Sequence, residues 1–115
     1  MGVVVAALHL ELDKLVALKF MREELSANEK ATERFVREAR AAARLNNEHV
    51  ARVFDVGRLP SGVPYIVMEY LEGHDLAAVL ARQGPLPIAD AAEYLLQTCE
   101  AMYAFTGWSP DLSAA

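Results

Sequence analysis

Val16-Ala17-Leu18-Lys19-Phe20-Met21 is a short apolar run with one charge inside it. Side chains alternate faces along a strand, so Lys19 shares a face with Leu15, Ala17 and Met21. Burying an unpaired ammonium is costly, so a lysine on such a face needs a partner, a ligand or a route to water. The plain readings are an edge-strand lysine that deters aggregation and a lysine that snorkels to solvent. What lies on either side of the run decides between these and a functional role.

Upstream, Gly2 to Leu10 is rich in Val, Ala and Leu and reads as a strand, joined by Glu11–Lys14 to a second strand, Leu15 to Met21. Arg22 to Ala27 is polar and irregular. A helix follows, capped by Ser26 or Asn28 and running to about Leu45. Its apolar stripe is Phe35, Ala39, Ala42 and Leu45, and Arg34, Arg37, Arg40 and Arg44 mostly fall on a solvated face. Glu38 lies three residues after Phe35 and four before Ala42, within the stripe. A cation on an apolar strand face and an anion in an apolar helix stripe would each be costly to bury alone, and each could satisfy the other.

Two more strands are expected, Val50–Gly57 and Pro64–Met68, separated by the turn Leu59-Pro60-Ser61-Gly62. Four strands with a long helix after the second make an α+β unit with an antiparallel sheet. Glu69–His74 reads as a connector. Asp75 caps a short helix, Leu76 to Arg82, and Pro87 begins another that runs to Phe105 with Ala92, Leu95, Leu96, Cys99 and Met102 at helical spacing. His49 and His74 read as surface loop residues without partners that suggest a metal or a base.

Composition narrows the function. The chain has 115 residues, 54% hydrophobic and 23% charged, in the range of a small globular domain. A net charge of -5 argues against a nucleic-acid grip built on phosphate neutralisation. No apolar run approaches the ~20 residues of a membrane span, and no basic segment precedes Val3–Leu10 to make it a secretory signal. Cys99 is the single cysteine, which excludes an intrachain disulfide and a cysteine-cluster metal site. A cytoplasmic protein is the default.

Val16-Ala17-Leu18-Lys19, the helix with its central Glu38, and the apolar strand running into Met68-Glu69-Tyr70-Leu71-Glu72-Gly73 resemble, over Gly2 to Ala104, the N-lobe and first C-lobe helices of bacterial eukaryotic-like serine/threonine protein kinases. The resemblance implies a partial N-lobe over 1–68, a hinge over 69–75, the first helices of the C-lobe over 76–106 and a divergent tail over 107–115. It implies an ATP site. Lys19 would meet the α- and β-phosphates and Glu38 would hold Lys19 in place. Val4 and Ala17 would roof the adenine, Met68 would stand at the back of the pocket, and Glu69 and Leu71 would offer hinge backbone groups. Asp75 would meet the ribose hydroxyls as well as cap its helix.

The sequence departs from that pattern in two places. Gly2 aligns with the third glycine and Val4 with the valine of the family's G-x-G-x-x-G-x-V loop, so the first two glycines have no counterpart. After Ala104 the residues Phe105-Thr106-Gly107-Trp108-Ser109-Pro110 stand where the family continues toward H-R-D, Asn and D-F-G. The Mg²⁺ expected for the family therefore has no ligands here, and no Asp serves as catalytic base; Asp111 is a lone tail carboxylate.

The expectation is a kinase-family fragment, truncated at both ends, with a partial ATP site and no activity of its own. Its parent reaction is ATP-dependent phosphorylation of protein Ser or Thr. A pseudokinase-like interaction module is the alternative, and an unrelated α+β domain is a third reading. The helix Pro87–Phe105 carries an apolar face that would favour self-association if left uncovered.

Overall fold

The computed structural model describes residues 2–106; the expected tail over 107–115 lies outside them. Strands β1 (Gly2–His9) and β2 (Lys14–Met21) form an antiparallel hairpin. Its connection places Asp13 at φ 51°, in the left-handed region that aspartate tolerates better than most residues. The Leu12 N–H donates to His9 Nδ1 at 3.2 Å across the same turn. Strands β3 (Val53–Arg58) and β4 (Pro64–Glu69) complete a sheet of order β1-β2-β4-β3, antiparallel throughout.

Strand β3 begins three residues later than the sequence suggests. The Asn47 side chain accepts from the His49 N–H at 2.8 Å, and the Val50 N–H donates to the Asn47 carbonyl at 3.1 Å. These bonds spend the backbone on a turn before it can join the ladder. The polar stretch after β2 also departs from the irregular loop expected there. It contains a single helical turn, α1 (Glu23–Ser26), in which the Ser26 hydroxyl donates to the Glu23 carbonyl at 2.6 Å.

Of the two candidate caps for the long helix, Asn28 is the one used. Its side chain accepts from the Ala31 N–H at 3.2 Å and starts α2 (Glu29–Ala43). Thr32 and Ala39 are its buried residues, and the Thr32 hydroxyl lies 3.8 Å from Met21 Sδ on β2. Met21, Pro64 and Ile66 are buried on the face of the sheet that Thr32 meets, and Val16 is buried on the other face. Opposite the helix side, Phe20 and Tyr65 stack with ring centroids 5.9 Å apart.

The chain divides into two compact units, Met1–Asn46 with Ala51–Leu71, and Asn47–Val50 with Glu72–Ala115. The change of unit falls between Leu71 and Glu72, within the 69–75 connector. In the second unit Asp75 caps α3 (Leu76–Gln83), accepting from the Ala78 N–H at 2.7 Å. Gly84 ends it at φ 75°, a conformation that disfavours a side chain. Helix α4 (Ile88–Thr106) follows Pro87, and Leu95 and Leu96 on it stay 65% and 55% exposed. No helix among the described residues is long and apolar enough to cross a membrane.

Ala39 sits against the sheet at 3% exposure, whereas Ala41 is exposed. Ala39→Leu is expected to lower stability by about 1–3 kcal/mol through overpacking, and Ala41→Leu to change it by less than about 0.5 kcal/mol. Urea unfolding midpoints of the two variants check this.

Candidate functional site

Residues that pair directly across a ladder share a face, so the register of β1, β2 and β4 decides which side chains meet. Val4 stands opposite Lys19, and Ala6 opposite Ala17. On the other side of β2, Ala17 stands opposite Met68 and Lys19 opposite Ile66. Ala17 therefore lies between Ala6 and Met68. Three small or unbranched side chains in a row leave a hollow in the sheet face, and Lys19 stands at one end of it.

That hollow is a cavity of about 460 Å³ within the first unit. Val4, Ala17, Lys19, Met68, Glu69 and Leu71 line it, and these are six of the nine residues that the sequence marks for the site. Val5, Ala6, Ala51 and Tyr70 line it too and escaped the sequence reading. Ala6 was legible in principle, because the hairpin register that places Val4 beside Lys19 also places Ala6 beside Ala17. Ala51 was not, since it precedes β3 and reaches the cavity only through the fold.

Glu69 ends β4 and is tied in twice by one neighbour. Its N–H donates to the Arg52 carbonyl at 2.8 Å, and its carboxylate accepts from the Arg52 N–H at 3.1 Å. Leu71 lies two residues past the end of the strand, outside the ladder. The wall formed by Glu69 to Leu71 is thus main chain held firmly at its start and released from pairing at its end.

Three residues marked from the sequence stand elsewhere. Gly2 pairs with Met21, and a Cβ there would run into the Phe20 carbonyl oxygen. Its lack of a side chain serves the close approach of β1 to β2. Asp75 belongs to the second unit and spends its carboxylate on the α3 cap. Glu38 differs most from expectation. Its side chain is 60% exposed and its Oε1 accepts from Arg34 Nε at 2.9 Å, and it makes no ion pair with Lys19.

The reason lies in helix geometry. At 3.6 residues per turn, Glu38 falls roughly a sixth of a turn to one side of Phe35, and Thr32 and Ala39 fall to the other. The buried side of α2 is centred on Thr32 and Ala39. Glu38 sits at the edge of the stripe on the side of Arg34, which lies one turn away at the i,i+4 spacing and pairs without desolvation.

Comparison with known proteins fixes the family. Residues 1–105 match the protein kinase domain. The chain belongs to the protein kinase family. It is 45% identical over 86 residues to the serine/threonine-protein kinase pkn3 of Myxococcus xanthus, covering 75% of this chain and 16% of that protein. It is 36% identical over 107 residues to the probable serine/threonine-protein kinase PknB of Corynebacterium glutamicum, covering 90% of this chain and 17% of that one. The crystal structure of the Mycobacterium tuberculosis PknI kinase domain superposes with a TM-score of 0.80 at 29% identity, over 91% of this chain and 42% of that domain. The chain thus spans about a sixth of the length of these two kinases and less than half of the PknI kinase domain. The sheet with α2 corresponds to the kinase N-lobe, and α3 and α4 to the start of the C-lobe.

Both partners of the Arg34–Glu38 pair are more than half exposed, so the pair contributes little. Arg34→Ala is expected to cost no more than about 0.5 kcal/mol of folding free energy, measured by chemical denaturation at low and high salt.

Proposed function

We propose that the cavity in the N-lobe sheet takes the adenine end of ATP, with Lys19 directed at the phosphates. The observation that carries this is the convergence of Val4, Ala17, Lys19, Met68, Glu69 and Leu71 on one hollow. Its volume of about 460 Å³ falls within the ~300–1,000 Å³ usual for small-ligand sites. Val4, Ala17 and Met68 supply apolar contact for a flat base, and the main chain from Glu69 to Leu71 supplies directional donors and acceptors. Lys19 supplies the charge that phosphates need in a partly water-excluded place. Gly2 adds a tight entry for β1 rather than a contact.

The family uses ATP with Mg²⁺ to phosphorylate serine and threonine in proteins, and that is the parent reaction of this chain. The donor set of the cavity does not suit Mg²⁺: the one carboxylate lining it, that of Glu69, accepts from the Arg52 N–H. The 115 residues also contain no H-R-D or D-F-G segment to supply a base or metal ligands. A polypeptide of this sequence is therefore read as a nucleotide-binding kinase fragment that transfers no phosphate by itself, acting on the cytoplasmic side where ATP is available. The exposure of Leu95 and Leu96 on α4 favours a second reading, a non-catalytic module that associates with itself or a partner through that helix.

Equilibrium binding of a fluorescent ATP analogue to the purified chain tests the first reading. Lys19→Ala is expected to weaken binding at least about tenfold, the loss of a charge-assisted contact of about 1.5–3 kcal/mol. Glu38→Gln is expected to leave it within about twofold, because its carboxylate is engaged by Arg34. Equal binding by the wild type and Lys19→Ala would remove the phosphate-anchor role. Sedimentation over a hundredfold range of concentration tests the second reading, which expects a dimer that Leu95→Glu abolishes.

A further inference from the structure

The sequence reads His49 as a surface loop histidine without partners that suggest a metal or a base, and the fold places two carboxylates beside it. His49 Nε2 lies 2.8 Å from Glu100 Oε2 on α4 and 3.4 Å from Glu48 Oε1. Its side chain is only 21% exposed. All three residues belong to the second unit. One imidazole nitrogen and two carboxylate oxygens, all within 4.8 Å of one another, converge from a turn and a helix that are far apart in sequence.

We propose that Glu48, His49 and Glu100 form a binding site for a divalent transition-metal ion, with zinc the best match. An ion at the usual ~2.1 Å from each donor would hold tetrahedral donors roughly 3.4 Å apart. The observed separations of 2.8 Å and 3.4 Å bracket that spacing, so small side-chain adjustments suffice. Both supports are set in advance. The turn is fixed by the Asn47 side chain on the His49 N–H, and Glu100 stands well inside α4. Glu48 and Glu100 are 83% and 51% exposed, which leaves room for water to complete the coordination.

A plain histidine–glutamate ion pair explains less. One Nε2–H serves one carboxylate well, and Glu100 already takes it. The second carboxylate, 3.4 Å from the same nitrogen, has no hydrogen of its own there, whereas a metal ion among the three donors would engage both carboxylates. Neither glutamate pairs with a lysine or arginine among the described residues. The imidazole donor selects zinc, cobalt or nickel over the hard, oxygen-seeking Mg²⁺ and Ca²⁺. The site therefore differs in its residues and its metal from anything a nucleotide would bring, and it does not rest on the ATP reading.

Calorimetric titration of the full 115-residue chain with zinc chloride tests it, in a Cys99→Ser background because the exposed Cys99 thiol also binds zinc. One zinc per chain is expected, undisturbed by millimolar Mg²⁺. His49→Ala and Glu100→Gln should each weaken it by more than the ~10–100-fold that losing an outer-shell partner costs. Glu48→Gln should weaken it less, given its greater exposure. Nitrogen NMR of the wild-type chain should show the His49 Nε2 resonance move on zinc addition, a readout that stands even if a variant fails to fold. Zinc affinity unchanged in Glu100→Gln, a His49 resonance that does not move, or binding abolished by Cys99→Ser alone would each overturn the proposal.

Discussion

The pairing of β2 between β1 and β4 is the constraint on which the structure depends. An antiparallel register slipped by one residue would send Lys19 to the Phe20–Tyr65 face and Phe20 into the cavity. The register is held from both sides. Gly2 allows β1 to close against the Phe20 carbonyl, and Met21 and Ile66 are buried on one face of the sheet with Val16 buried on the other. Apolar burial fixes the strand, and the strand fixes Lys19, the cation that lines the cavity. Lys19 is thus positioned by its neighbours' hydrophobicity, with no salt bridge to a described residue.

The same logic explains the floor of the cavity. Ala6, Ala17 and Met68 pair in a row across three strands. A larger residue at Ala17, which is 9% exposed, would fill the hollow. Specificity for a flat, nitrogen-rich ligand would then come from the main chain after β4, where the ladder stops and peptide groups become available. Arg52 clamps Glu69 at that point and keeps the last paired residue in place.

Much of this was legible in the sequence because it follows from period. The alternation around Lys19, the stripe Phe35–Ala39–Ala42, the Asn28 and Asp75 caps and the α+β order are all local patterns with local causes. Pattern and structure part where two local rules compete. Asn47 offered its side chain to the backbone and shortened β3, which apolar alternation alone had begun at Val50. Glu38 satisfied the spacing for the stripe, yet a stripe has edges, and Arg34 one turn away decided which edge it joined. His49 and Glu100 lie too far apart in sequence for any pattern to link them. Long-range pairing of polar groups is the part that periodicity does not encode.

The central claim is that the sheet cavity is the nucleotide site of this kinase-family chain. Amide NMR with a non-hydrolysable ATP analogue addresses it most directly. Saturable shifts are expected at Val4, Ala6, Lys19, Glu69 and Leu71, with Arg34, Arg37, Arg40 and Arg44 of α2 unmoved. Saturable shifts centred on those arginines, or no saturable shifts at all, would contradict it.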